Sequence, residues 1–256
     1  MTLRTFIYAA LLLVLPLLPS FWVECTSIAK PLEPPSAEHP LGTDPVGRDA
    51  LCLLAIGGYG SAIAAASAVA VSLTVITLGG VLTLYPLGRS IVTIVAGAAA
   101  PLPRVALAMM LALFMRPGPV LVGAFIAMLA APQVLRMLST RVEQMLGQAY
   151  VEAAYALGAD NIHILLRYVL PGTLDAAIGH LGLAASMAVN AEAMLSMLGL
   201  SDPTVPSWGK IVSFLLETPG ALMTEAGLVQ ALASILVVTL YSLILYWAIR
   251  RSAVRP

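Results

Sequence analysis

The stretch AGLVQALASILVVTLYSLILYWAI, which runs from Ala226 to Ile249, contains no charged side chain. It exceeds the roughly 20 consecutive apolar residues that a helix needs to cross the hydrocarbon core of a bilayer. Such a segment must be helical, because backbone N–H and C=O groups find no water to bind inside lipid. We therefore expect this stretch to be a transmembrane helix.

The composition of the whole chain indicates the same environment. Of its 256 residues, 60% are hydrophobic and 10% are charged, and the mean hydropathy is +0.95. A soluble globular domain has about 25% charged residues, so this chain has too little polar surface for a water-soluble particle. The formal net charge is zero, which gives no electrostatic support for a nucleic-acid partner. The composition predicts an all-α, polytopic transmembrane helical bundle whose partner is the lipid membrane.

Five more apolar runs precede the first stretch and give about six spans in all. The polar, proline-rich segment 24–59 separates the first two runs. We divide the chain into residues 1–60, which hold the first span and an outer segment, and residues 61–256, the core transmembrane domain. Pro101 and Pro103 are expected to break the third span near its middle. The predicted runs are Thr5–Val23, Ser61–Leu84, Ile91–Met115, Val120–Leu135 and Thr173–Leu198.

The distribution of lysine and arginine predicts the orientation of these spans. Cytoplasmic loops carry an excess of basic residues, and placing both termini in the cytoplasm puts eight basic residues inside and four outside. Residues 136–171 then form the longest cytoplasmic segment, and the protein is a multi-pass protein of the cell membrane. The inside residues are Arg4, Arg89, Arg136, Arg141, Arg167, Arg250, Arg251 and Arg255, and the outside residues are Lys30, Arg48, Arg116 and Lys210.

Cys25 and Cys52 both fall in the region predicted to lie outside the cell membrane. They are able to form a disulfide, but two cysteines without a known compartment are weak evidence for one. Packing as small apolar side chains is the simpler interpretation, and we expect it for both.

The segment AYVEAAYALGADNIHILLRYVLPG, from Ala149 to Gly172, is the most informative part of the cytoplasmic region. Good helix formers precede Gly158, which interrupts them, and Asp160 or Asn161 is able to cap a second helix. Pro171 is expected to close the segment before the fifth span. We therefore expect two short helices at an angle on the inner membrane face. Helical spacing predicts a buried face on the second helix at Ile162, Leu165, Leu166 and Val169.

A pattern in this segment resembles the EAA loop of binding-protein-dependent ABC importers, which reads E-A-A, three residues, G, nine residues, I-x-L-P. The chain departs from the pattern at Tyr168, where the family has Ile. A short motif of this kind is moderately specific by itself. The residues in register are Glu152, Ala153, Ala154, Gly158, Leu170 and Pro171.

Two further stretches resemble the C-type permease of oligopeptide, dipeptide and nickel importers. HPLGTDPVGRD, at His39–Asp49, closely resembles the run H-x-L-G-T-D-x-x-G-R-D of that branch. EAMLSMLGLSDPTVPSWG, at Glu192–Gly209, is similar to its run E-A-x-L-S-F-L-G-L-G…P-S-W-G. The order of the three motifs also matches the family.

This resemblance implies a type I ABC importer permease fold and a subunit without a catalytic site. The first helix of the EAA loop would be a coupling helix in a groove of a separate ATP-binding subunit, with Gly158 supplying the bend. The implied partners are ATP-binding subunits, a sister B-type permease and an extracellular solute-binding protein, and no cofactor or metal is expected. The implied cargo is a peptide, with nickel or a metal chelate left open. The alternative is a stand-alone secondary transporter or channel, which needs no ATPase docking loop.

Three polar residues at membrane depth are candidates for the pathway or its gate. Ionisable groups there are costly and usually face a bundle interior or a hydrated cavity. Arg104 in the third span and Glu192 in the fifth are expected to pair or to share one cavity, the alternative being that Arg104 reaches only water or a carbonyl freed by Pro101 and Pro103. His180 also lies in the fifth span. Trp208, in contrast, is expected to be an interfacial anchor at the outer headgroups.

Overall fold

The computed structural model describes residues 11, 13–19, 25, 29–83, 85–99 and 103–253. The regular structure in these residues is helical, as predicted, apart from one isolated β-bridge between Thr43 and Asp49. A π-helical turn at Leu165–Val169 joins two of the helices. The helices are α1 (Ala50–Ile56), α2 (Gly58–Leu82), α3 (Pro86–Ala99), α4 (Arg104–Met115), α5 (Pro119–Leu146), α6 (Ala149–Ala156), α7 (Asn161–Ile164), α8 (Leu170–Met197), α9 (Trp208–Glu217) and α10 (Glu225–Ala253).

Several of these helices are long and apolar enough to cross a membrane. By length and composition, Ala50–Leu82, Pro119–Leu146 and Glu225–Arg251 qualify among the described residues. A fourth span is reached if Asn161–Thr173 and Ala176–Met197, which meet at a bend of 52°, count as one. These stretches overlap the predicted second, fourth, sixth and fifth spans in that order, but the second begins at Ala50 instead of Ser61 and the fourth continues to Leu146 instead of ending at Leu135.

The predicted third span is divided into the two shorter apolar helices α3 and α4. Pro103 precedes α4 in an extended conformation, which agrees with the expected break at the prolines. The predicted first span, Thr5–Val23, lies mostly outside the described residues. The total of six spans therefore stays a prediction.

Small residues allow the helices of the bundle to approach closely. A Cβ atom on Gly123 of α5 would lie 2.0 Å from the carbonyl oxygen of Ala64 in α2. Between membrane helices, close backbone packing takes the place of the hydrophobic effect as the source of association. The bundle centre is accordingly rich in alanine, with buried Ala64, Ala68, Ala108, Ala112, Ala127 and Ala188.

Helices α8 and α10 pack antiparallel. The hydroxyl of Ser186 in α8 donates to the carbonyl of Ser242 in α10 at 2.7 Å. One turn earlier in α8, Gly182 lies against Tyr246 and Ile249. The end of α10 is therefore at the same end of the bundle as the start of α8.

Cys25 and Cys52 form a disulfide, with Cα atoms 5.8 Å apart. Our expectation that both are packing residues is wrong. The sequence could not reveal the pairing, because the two residues are 27 positions apart and the chain between them follows no regular period. The bond ties the start of the outer segment to α1.

Candidate functional site

The segment predicted to couple to an ATPase, residues 149–171, begins with α6 and turns at Gly158, and we call it the coupling segment after that prediction. Gly158 has a φ of +91°, a conformation that glycine adopts without a steric penalty. Its N–H donates to the carbonyl of Tyr155, and the N–H of Ala159 donates to the carbonyl of Ala154. This pair of bonds is a Schellman motif, which ends a helix by satisfying its last carbonyls. The predicted bend is present at the predicted residue.

Asp160 begins the second helix of the coupling segment, as predicted. Its carboxylate accepts a hydrogen bond from the backbone N–H of His163 at 2.8 Å. This bond satisfies one of the donors that the first turn of a helix leaves unpaired.

The π-helical turn changes which side of the second helix is buried. Ile164 and Val169, five residues apart, are buried, whereas Ile162 and Leu166 are exposed. In a π turn the hydrogen bonds join residue i to residue i+5. Residues five apart in the chain therefore lie closer to the same side of the helix than they do in an α-helix. The predicted buried face was therefore wrong at Ile162 and Leu166, because it assumed the α-helical period. The side chain of Leu165 lies outside the described residues.

The helix continues through Pro171, so our expectation that this residue closes the segment is also wrong. Pro171 is the second residue of α8, directly after the π turn. In a regular α-helix its ring would clash with the carbonyl four residues earlier. The wider π turn at that place accommodates the proline, so the helix continues through it. The 52° bend comes later, between Thr173 and Ala176.

A small core holds the coupling segment on the end of α5. It consists of buried Val142 from α5, Val151 from α6, and Ile164 with Val169 from the second helix. Tyr168, which stands where the EAA pattern has Ile, packs against this core. The coupling segment is therefore a folded unit that packs on α5 and leads directly into α8.

The opposite face of the coupling segment is unpartnered. Glu152 is exposed, and its carboxylate makes no hydrogen bond or ion pair within the described part of the chain. Leu157, at the end of α6, is 89% exposed. An exposed apolar patch of this kind marks an interaction surface. The patch comprises Tyr150, Tyr155, Leu157, Ile162 and Leu166.

The six predicted coupling residues do not all lie on this face. Ala153, Gly158 and Pro171 are exposed like Glu152, whereas Ala154 is half-buried against the core. The side chain of Leu170 lies outside the described residues.

At the other end of the bundle, the motif at residues 39–49 folds into a compact outer loop. Asp44 is buried, and its carboxylate accepts from the backbone N–H groups of Val46 and Arg48 and from the Arg48 guanidinium at 2.7 Å. Gly42 and Gly47 both have positive φ. A side chain on either glycine would collide with a backbone carbonyl, at 2.4 and 2.2 Å respectively.

Asp49 and Gln230 anchor the outer loop to the bundle. The carboxylate of Asp49 caps α1 and accepts a hydrogen bond from His39 Nδ1 at 3.0 Å. Burial acts to raise the pKa of Asp49, but the bonds from His39 and from two backbone N–H groups of α1 leave that pKa below its usual value. On α10, the amide of Gln230 donates to the carbonyl of Thr43 at 2.8 Å.

A cavity of about 590 Å³ lies between this outer loop and α9. Its volume is in the range of pockets that take small molecules. Both signs of charge line it, together with several hydroxyl groups. Its lining includes Arg48, Ser196, Ser201, Lys210, Phe214 and Glu217.

Glu192 joins three separate elements beneath this cavity. It is 3% exposed, and its Oε2 accepts from Ser61 of α2 at 2.8 Å while its Oε1 accepts from Ser196 of α8 at 2.7 Å. Ser207, in the loop before α9, lies close enough to the carboxylate to interact with it electrostatically. We call these four residues the Glu192 cluster. Sequence analysis missed the serines, and only Ser196, one helical turn after Glu192, carried a local signal.

Lys210 and Trp208 fasten the loop that follows α8. The Lys210 ammonium donates to the carbonyls of Asp202 and Val205. Burial lowers the pKa of Lys210, and the nearby carboxylates of Asp202 and Glu192 partly offset that effect. Trp208 is buried, with its indole N–H on the carbonyl of Leu54 at 2.7 Å. The expectation that Trp208 anchors at the outer headgroups is wrong, because the fold gives its N–H a partner inside the protein.

The other two pathway candidates lie elsewhere. His180 is buried within α8, near the middle of the bundle. Arg104 is the first residue of α4, and its side chain lies outside the described residues. The pairing of Arg104 with Glu192 therefore stays a prediction, while the described partners of Glu192 are serines. No cluster of three potential metal-ligating side chains occurs in the residues that the structure describes.

Comparison with known proteins finds a matching family and several similar permease proteins. The family model described as "Binding-protein-dependent transport system inner membrane component" matches residues 75–254. The chain is 28% identical over 184 residues to the glutathione transport system permease protein GsiD of Pectobacterium atrosepticum, covering 71% of this chain and 61% of that protein. It is 32% identical over 188 residues to a "Putative peptide permease protein" of Brucella suis, covering 72% and 62%. The match thus spans about three fifths of the length of these relatives.

Proposed function

We propose that the chain, which belongs to the family of inner membrane components of binding-protein-dependent transport systems, is one permease subunit of an ATP-driven importer of peptides or a related small solute. It would form half of a translocation pathway with a sister B-type permease. A separate solute-binding protein would deliver the cargo, and separate ATP-binding subunits would supply the energy. The names of the relatives support a peptide cargo, since they include a glutathione and a peptide permease.

The observation that carries this proposal is the unpartnered face of the coupling segment. It combines a carboxylate, Glu152, that has no partner among the described residues with exposed apolar side chains such as Leu157. A stand-alone carrier has no need of such a face on a rigid segment. A soluble ATPase domain with a groove and a basic group would cover both features.

The mechanism follows from how the coupling segment is held. Its core joins α5 to the start of α8, so a displacement of α6 by an ATPase would move both helices together. The far end of α8 carries Glu192, which accepts a hydrogen bond from Ser61 of α2, and the backbone N–H of Gly60 in α2 donates to the carbonyl of Pro206 in the loop before α9. Closure of the ATPases on ATP would therefore be transmitted as a rigid-body motion to the outer end of the bundle.

The orientation of the chain is testable with reporter fusions at Ser36 and Asp160. We expect them to report opposite sides of the membrane, with Asp160 in the cytoplasm. The excess of inside arginines supports this orientation, and so does the disulfide near Ser36, because disulfides persist outside the reducing cytoplasm. Two reporters on one side would contradict it.

The decisive test of the proposed function is subunit dependence. Vesicles that contain the purified chain alone should show neither ATP hydrolysis nor peptide uptake. Uptake should require the addition of the sister permease, the ATP-binding subunits and the solute-binding protein together. Uptake by the chain alone, driven by an ion gradient, would instead support the secondary transporter.

A further inference from the structure

Two pairs of aromatic and basic side chains end α10. The Arg251 guanidinium lies 4.1 Å from the centre of the Trp247 ring, and the Arg250 guanidinium lies 5.8 Å from that of Tyr246. Each pair is spaced four residues apart, so both stack along the side of one helix. Side chains on a helix lean toward its N-terminus, and here that direction leads back into the bilayer.

Neither arginine has a carboxylate partner in the described part of the chain. The ion pairs found there are both in the outer loop, Asp44 with Arg48 and Asp49 with His39. Arg250 donates one hydrogen bond, to the hydroxyl of Tyr246 at 3.1 Å, whereas no hydrogen bond from Arg251 occurs within the described residues. Stacking on Trp247 fixes the plane of the Arg251 guanidinium and leaves its N–H edge open to an anion.

An apolar track leads to Arg251 along the exposed side of α10. A groove of about 420 Å³ is formed there by Leu243, Ile244, Trp247, Ala248 and Arg251. The opposite side of α10, at Leu245 and Ile249, is buried in the bundle. The exposed track extends over most of the helix through Leu228, Leu232, Leu236, Leu240, Leu243 and Trp247.

We propose that an anionic phospholipid binds at this end of α10, in the leaflet next to the coupling segment. Its phosphate would be held by Arg251, with Arg250 adding a second positive charge, and an acyl chain would lie in the groove beside Trp247. The charge of the site selects an anionic headgroup, because a guanidinium binds phosphate with parallel N–H···O bonds. The apolar track selects a lipid rather than a soluble anion, since it continues toward the centre of the bilayer.

This inference does not depend on what the protein transports. It depends on the groove lying at the same end of the bundle as the coupling segment. The antiparallel packing of α8 and α10 places it there. A lipid held there would lie beside the start of α8, the helix that bends just after the coupling segment.

Fluorescence quenching of Trp247 by brominated lipids tests the proposal. The full-length chain is placed in vesicles of brominated phosphatidylcholine containing either brominated or ordinary phosphatidylglycerol, and the Trp247 signal is taken as the difference from Trp247→Phe. We expect phosphatidylglycerol to be favoured over phosphatidylcholine at Trp247 by at least about fivefold, the ratio expected for one arginine at an anionic surface. Arg251→Gln should abolish most of this preference, and Arg251→Lys should keep part of it.

Arg141→Gln is the matched control, because Arg141 is also exposed, lies at the same end on α5 and stacks on no described ring. This variant should keep the full preference. Equal quenching by the two lipids in the wild-type chain, or an unchanged preference in Arg251→Gln, would overturn the proposal. Loss of all quenching when the chain is assembled with its accompanying subunits would also overturn it, because a protein would then cover the face.

Discussion

The variant Gly158→Val should lower uptake by about tenfold or more while the chain still inserts in the membrane. A Cβ atom at this position meets no atom within 4 Å, so the substitution creates no collision. Its effect comes from the φ of +91°, which costs an L-residue about 1–2 kcal/mol and a β-branched residue more. Since 1.4 kcal/mol is about a factor of ten in an equilibrium constant, the bent form that can dock loses about that factor or more relative to unbent forms.

Gly147→Val is the control for this experiment. Gly147 ends α5, eleven residues earlier, and is exposed like Gly158, but its φ is −83° and the nearest atom to an added Cβ is at 3.7 Å. It should therefore keep near-normal uptake. Normal uptake with Gly158→Val would show that the left-handed bend is not needed for coupling.

The charge on α6 is tested separately with Glu152→Lys. This substitution should leave unfolding of the chain unchanged, because the carboxylate has no partner among the described residues, but it should reduce co-purification of the ATP-binding subunit. Glu143→Lys, at an exposed position on α5, reverses a second charge at the same end of the bundle. If both variants weaken co-purification equally, the effect is one of general charge and not of a docking contact.

The parts of the fold that follow local rules could be predicted from the sequence. Lipid requires long apolar helices, so the apolar runs of the sequence predict α2, α5, α8 and α10. The bend at Gly158 and the cap at Asp160 were also predicted, because their signals are single residues with defined backbone preferences.

The remaining features depend on contacts that no local pattern encodes. The π turn at Leu165–Val169 has no signal in the apolar spacing, and Ile162 and Leu166 are exposed although that spacing places them on one face with buried Val169. The hydrogen bond between Ser61 and Glu192 joins residues 131 positions apart. Arg104 was a plausible partner for Glu192 by charge and depth, but serine hydroxyls fill both described carboxylate oxygens.

The second large effect is a loss of stability when a donor is removed from the Glu192 cluster. Helix α2 carries two buried serines, Ser61 inside the cluster and Ser72 outside it. Ser61 and Ser72 are both at most 1% exposed. Ser61 donates to Glu192 at 2.8 Å, whereas the Ser72 hydroxyl has no hydrogen-bond partner among the described residues. Ser61→Ala should therefore lower the free energy of unfolding by about 1–3 kcal/mol, since it leaves a buried carboxylate oxygen without its donor. Ser72→Ala should be neutral or slightly stabilising, because it removes a buried hydroxyl that has no hydrogen-bond partner among the described residues.

Removing the carboxylate itself should have a larger effect than removing one donor. Glu192→Leu deprives Ser61 of its acceptor and removes the acceptor of one Ser196 hydrogen bond, so about 2–5 kcal/mol should be lost. Ser196 is partly protected, because its hydroxyl also lies 2.8 Å from that of Ser201. Unfolding of the purified chains in one detergent measures these differences, and uptake by the assembled transporter shows whether the outer end still responds to ATP. Equal stability of Ser61→Ala and Ser72→Ala would contradict the assignment, because the two alanine variants differ only in whether a bond to Glu192 is lost.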